Sequence, residues 1–200
     1  MPANFSGTWK CEAVGDTGDF GDFLKLISVP WFIRKIAKFD RYGAGKEVET
    51  ISMESAQHFR AVNNGPRKVC VCLASRRFPQ CPVHLTPEPW TAGQVITQEF
   101  AIDGSEQTVP SIPDGADMQL TATWEGETLV LHTQVVGASH TVELRRSLDG
   151  GKLRLEMIAA KLDGSQTAVT SRVYAKTADA GEAGWGTELV EGADVEGDFD

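Results

Sequence analysis

The chain has 200 residues, 41% hydrophobic and 24% charged, which suits one folded domain with appendages or two small domains. No run approaches the roughly 20 apolar residues of a membrane-spanning helix, and Met1-Pro2-Ala3-Asn4 opens no secretory signal, so the chain reads as cytosolic with reduced cysteines. The net charge of -9 sits almost wholly in eight acidic residues after Lys176, which leaves residues 1–176 nearly neutral and argues against nucleic-acid binding.

In the first 11 residues Phe5, Gly7, Trp9 and Cys11 share one parity, and Ser6, Thr8 and Lys10 share the other. Period two marks a strand with one buried face. Over residues 20–39 the pattern changes. Phe20, Phe23, Leu24 and Ile27, then Ile33, Ile36 and Ala37, recur at three- and four-residue spacing, as on a helix face. Pro30 divides the stretch into two short helices, because proline is tolerated at a helix start and not inside one. Asp16, Thr17 and Asp19 are available to cap the first helix.

From Val48 onward, short strands and turns return. Val48–Ser52 and Phe59–Val62 alternate, and further strand candidates lie at Val95–Ile102, Met118–Trp124, Leu129–Val135, Thr141–Leu148, Leu153–Ala159 and Ala168–Tyr174. Asp103-Gly104, Glu125-Gly126, Asp149-Gly150-Gly151 and Asp163-Gly164 between them are hairpin-turn sequences. Many short strands with tight turns imply an antiparallel sandwich or a closed barrel. Residues 63–91 do not fit a minimal barrel: they hold three of the four cysteines, five prolines, Arg67-Lys68 and Arg76-Arg77, and read as a long inserted loop. Residues 177–200 are rich in Gly, Ala and acidic residues and read as a disordered tail, in which Trp185, Leu189, Val190 and Phe199 are spaced apolar docking candidates.

Phe5-Ser6-Gly7-Thr8-Trp9-Lys10, then Gly18-Asp19-Phe20-Gly21-Asp22-Phe23-Leu24-Lys25, then Val29-Pro30-Trp31-Phe32-Ile33-Arg34-Lys35-Ile36-Ala37, resemble the opening of the fatty-acid-binding and cellular retinoic-acid-binding protein family. Arg172-Val173-Tyr174 resembles the Arg-x-Tyr pair on that family's last strand, and Leu144–Leu148 followed by Gly150-Gly151-Lys152-Leu153 resembles the strand that supplies its other interior arginine. The likeness covers about residues 1–55 and 117–176 and fails between them. It implies an all-β fold: a ten-stranded up-and-down antiparallel β-barrel capped by a helix-turn-helix lid. The expected organisation is a barrel over 1–176, with 63–91 inserted, and a tail over 177–200.

Parity places the site chemistry. Ala168, Thr170, Arg172 and Tyr174 share one face, and Val142, Leu144, Arg146 and Leu148 share another. Apolar parity faces inward, so Arg146 is the interior arginine and Arg145 the solvated one; aligning the family on the Asp149-Gly150 turn instead would choose Arg145. An arginine cannot shed its charge and is costly to bury unpaired. The expected partner is a ligand carboxylate held by Arg146, Arg172 and Tyr174; an internal salt-bridge network is the competing explanation. Each buried methylene contributes roughly 0.8 kcal/mol and each charge-assisted hydrogen bond roughly 1.5–3 kcal/mol, so affinity would come from the acyl chain and head-group choice from the arginines. Uncharged retinol- or sterol-type ligands are disfavoured on this reasoning, because they would leave the arginines unpaired; a retinoic-acid-type ligand stays open.

In the family the helix pair forms the portal, here with Phe23, Leu24, Ile27, Ile33 and Ile36 as its apolar residues. Its exposed side carries Lys25, Arg34, Lys35 and Lys38, which suits transient contact with an anionic membrane. Lys25, Arg34 and Lys35 also match positions of a conformational nuclear-import signal in some members, so a nuclear location accompanies the cytoplasmic one.

Cys70-x-Cys72 with Cys81 and His84 could in principle ligate zinc, but the spacing is unusual and incidental thiols are the simpler reading; neither metal nor cofactor is expected. Cys11 lies on the inward parity, where a lipid-converting nucleophile would need a base or a lowered pKa that the sequence does not show. The sequence therefore points to a monomeric, non-enzymatic binder and transporter of long-chain fatty acids or similar hydrophobic carboxylates. A protein-interaction module built on the insertion and the tail is the alternative.

Overall fold

The computed structural model describes residues 2–15, 18–64, 95–110 and 117–177. The candidate caps Asp16 and Thr17, the cysteine-rich part of the insertion from residue 65 with Cys70, Cys72, Cys81 and His84, and the tail beyond Thr177 lie outside the described residues.

Ten strands form one antiparallel sheet: β1 (Gly7–Val14), β2 (Val48–Ser55), β3 (His58–Asn64), β4 (Val95–Ala101), β5 (Glu106–Pro110), β6 (Asp117–Glu125), β7 (Thr128–Val135), β8 (His140–Asp149), β9 (Lys152–Lys161) and β10 (Thr167–Lys176). The spatial order is β4-β3-β2-β1-β10-β9-β8-β7-β6-β5. Neighbours in sequence are neighbours in space everywhere except at one seam, β4 against β5, and the first strand pairs with the last. This is the expected ten-stranded up-and-down barrel, nearly closed.

The turns follow from local chemistry. Asp149 faces Lys152, leaving Gly150-Gly151 as a two-residue loop with φ of 56° and 80°. Positive φ at both positions gives the turn whose twist matches a hairpin, and glycine adopts it without strain. Asp103-Gly104 behaves differently. Asp103 accepts a 2.8 Å hydrogen bond from the Ser105 amide, but the strands on either side of this turn do not pair with each other. The strand after it, β5, escaped the period-two reading because its inward positions, opposite Leu120 and Met118, are Gln107 and Val109. The Gln107 side chain bridges the seam instead: it accepts from the Ala101 amide and donates to the Ala101 carbonyl, both at 2.9 Å.

The two helices, α1 (Phe20–Leu26) and α2 (Trp31–Phe39), form the lid between β1 and β2. Asp19 caps α1 by accepting from the Gly21 amide, and Pro30 stands at the N-cap of α2. A Cβ at Gly18 would lie 2.0 Å from the Val169 carbonyl oxygen, so only glycine lets the chain pass this close to β10 into the lid. Phe20, Phe23 and Leu26 are buried, with Leu24 and Ile27 packed against the same cluster. On α2 Ile33 is buried, but Ile36 is 48% exposed rather than sharing its face with Ile33. The reason is that α2 packs on α1 and the following turn rather than across the barrel wall, and Ile33 is its one buried residue.

The end where β1 begins is closed by aromatic groups. Phe5 stacks on Trp124 at 5.7 Å, Trp124 donates to the Ala56 carbonyl, and Trp9 donates to the Phe5 carbonyl. Burying each large apolar side chain here contributes roughly 1.5–3 kcal/mol.

Candidate ligand site

Among the described residues the inward faces of the strands are largely apolar, with Gln107 and Thr133 as separate polar positions and one cluster of charged groups. On β8 the inward arginine is Arg146, as parity indicates, and it is 4% exposed. Arg145 points outward, to Glu143 and Glu125. On β10, Arg172 and the fully buried Tyr174 share the inward parity with Thr170. The three residues expected to hold a ligand head group are thus brought together.

They are not waiting for a counter-charge. Arg146 makes a two-pronged pair with Glu49 across the barrel, Nη1 to Oε2 at 2.7 Å and Nη2 to Oε1 at 2.9 Å. Arg172 donates to Glu47, and the Tyr174 hydroxyl donates to the other oxygen of that carboxylate at 2.9 Å. Glu47 leads into β2, and its carbonyl is held by the Cys11 amide at 2.9 Å. Glu49 sits opposite Trp9 in the β1–β2 ladder, which turns both glutamates inward.

Sequence reasoning missed these two residues. Their signal was parity: Glu47, Glu49 and Ile51 alternate with Val48 and Thr50, and an inward Ile51 implies inward glutamates.

Burial opposes the charge of Arg146, but the doubly bonded Glu49 more than offsets it, so the guanidinium stays above its ordinary value. Burial likewise pushes Tyr174 well above the ordinary phenol value, despite the opposing pull of Arg172, and keeps it a hydrogen-bond donor. Arg146 lies over the Phe59 ring at 5.2 Å, and Arg172 over Phe20 of α1 at 5.1 Å. The second contact ties the polar cluster directly to the lid.

Cys11 is buried beside the cluster. Burial first, and then the opposed charges of Arg172 and Glu47, leave its thiol pushed up to about 11. At neutral pH it is a protonated thiol, unsuited to nucleophilic attack. Among the described residues no group of His, Cys, Asp or Glu is arranged to hold a metal ion. A pocket on the outer face of β5–β9, lined by Gln119, His132, Thr141, Glu143 and Ile158, lies on the opposite side of the sheet from the cluster. Among the described residues, no helix is long and apolar enough to cross a membrane.

No known protein family profile matches the sequence, and no curated protein matches it. Solved structures do. Fatty-acid-binding protein 1 of Echinococcus granulosus is 15% identical with a TM-score of 0.56, over 87% of this chain and 98% of its own. Human cRBP IV is 17% identical with a TM-score of 0.57, over 88% of this chain and 100% of its own. The fold is that of the fatty-acid-binding barrels. A zebrafish ileal bile acid-binding protein complexed with cholic acid shares it at 20% identity and a TM-score of 0.55, over 86% of this chain and 98% of its own. Within this barrel, the first and last strands lie side by side and the lid rests on β10 through α1.

Proposed function

We propose that the barrel binds a hydrophobic small molecule inside its wall and carries it, with the polar end of the cargo against Arg146, Arg172 and Tyr174. The observation that carries this reading is a cluster of charged groups set in a largely apolar interior, beneath a lid that touches it through Phe20. The solved structures of like fold, named for fatty acids and bile acids, support it in general terms.

A fatty-acid or retinoic-acid-type carboxylate is the second reading. Arg172 and Tyr174 already meet on one carboxylate, that of Glu47, so a ligand carboxylate would have to exchange with it.

The lid also suits membrane contact during loading. Trp31 is 62% and Phe39 89% exposed, with Phe32 and Ile36 beside them, and Lys35 lies over the Trp31 ring while Arg34 and Lys38 flank the patch. Basic groups around exposed aromatic and aliphatic side chains complement an anionic bilayer. Flotation with anionic but not with neutral vesicles is expected.

The test of the carrier reading is native mass spectrometry of gently purified protein, followed by titration with long-chain and isoprenoid ligands read by intrinsic tryptophan fluorescence. A co-purifying mass of lipid size, or saturable quenching, is expected. An empty protein that takes up none of them would overturn the reading.

A further inference from the structure

The interior cluster is electrically complete within the protein itself. Two guanidiniums, Arg146 and Arg172, face two carboxylates, Glu49 and Glu47, and the Tyr174 hydroxyl donates into the second pair. We infer that Glu47 and Glu49 are built-in counter-anions that set head-group selectivity, so that the fitting cargo is a hydrophobic molecule ending in an uncharged oxygen, a hydroxyl or a carbonyl. This rests on the carrier reading above and concerns the same site.

The argument is one of charge and of vacant donors. A ligand carboxylate would be a third anion among groups that already sum to zero. It would have to displace a glutamate from its arginine, stranding a buried carboxylate, or arrive with a proton. Glu49 is poorly placed to leave: both of its oxygens are bonded, and pair and partner are almost wholly buried. An uncharged oxygen asks for none of this. It needs a donor, and the cluster holds unused ones: Arg146 Nε, Arg172 Nε and Thr170 Oγ1 are buried without hydrogen-bond partners. Thr170 shares the inward parity of Arg172 and Tyr174, so its hydroxyl lies along the same strip of wall. The pairs also remove the objection to neutral ligands, since each arginine keeps its counter-charge whatever the cargo.

The experiment uses matched ligands that differ only at the head: retinol against retinoate, and oleyl alcohol against oleate. Each is titrated at neutral pH into the full chain, into Glu47→Gln, and into Glu47→Gln/Glu49→Gln. The wild type is expected to favour the uncharged member of each pair by about tenfold or more, and the glutamine variants to gain about tenfold or more for the carboxylate member. Glu47→Gln alone leaves the Arg146–Glu49 pair intact, so it decides the matter if the double variant fails to fold. A wild type that favours carboxylates, or a Glu47→Gln that gains nothing for them, would overturn the selectivity and leave the carrier reading standing. Failure of every ligand on every protein would overturn the carrier reading and the selectivity with it.

Discussion

Arg145 and Arg146 are neighbours on β8, and each is paired with glutamate, yet they belong to different worlds. Arg145 lies on the outer face, its side chain 34% exposed, reaching Glu143 on its own strand and Glu125 at 3.0 Å. Water solvates those charges with or without the contact, so such a pair contributes at most about 1 kcal/mol. Arg146 lies inside, and its pair with Glu49 leaves both side chains about 5% exposed or less. There the pair is hardly better than two well-packed apolar residues, but half of it is much worse than either. An interior charge pair of this kind specifies what belongs inside rather than adding stability.

The largest expected effect follows from halving the inner pair. Glu49→Ala should destabilise the protein by about 3–5 kcal/mol, and Arg146→Met/Glu49→Leu should recover most of that loss, both read by denaturant unfolding. A loss below about 1 kcal/mol would mean that the inner pair behaves like a surface one. Next comes the seam. Gln107→Ala removes two hydrogen bonds to Ala101, and a loss of about 1–2 kcal/mol is expected, with faster hydrogen exchange at the Ala101 amide. Unchanged exchange there would show that the seam holds without its bridge. The smallest effect belongs to the outer pair: Arg145→Ala should change stability by less than about 1 kcal/mol, and a larger loss would erase the contrast between the faces.

Much of this was legible in the sequence, because barrels write their geometry in parity. Trp9 and Cys11, and Leu144 and Arg146, were placed on inward faces by alternation, and Arg172 and Tyr174 by alternation together with the family resemblance; the structure puts them there. Pro30 and Asp19 announced the lid's break and its cap. Other features were hidden because the residues involved break the rule that polar means outward. Gln107 occupies an inward position in β5 and so disguised that strand. At the start of β2 the strand was legible over Val48–Ser52, but the inward Glu47 and Glu49 were not. Two interior arginines called for two anions, and sequence reasoning looked to a ligand for charges already present 97 and 125 residues away along the chain. Pairing between distant strands needs register, and register across a barrel is not written in any one segment.

The seam between β4 and β5 also bears on how the chain could be cut and rejoined. Read from β5 through β10 and on through β1 to β4, every strand follows its spatial neighbour, with Thr177 already bonded to Thr8 where the two stretches meet. A circular permutant beginning at Glu106 and ending at Ala101 would traverse the sheet from edge to edge, with residues 178–200 as the joint. In the natural order, closing the β1–β10 contact brings together segments from opposite ends of the barrel sequence, the slowest kind of encounter for a folding chain. In the permutant that encounter becomes local.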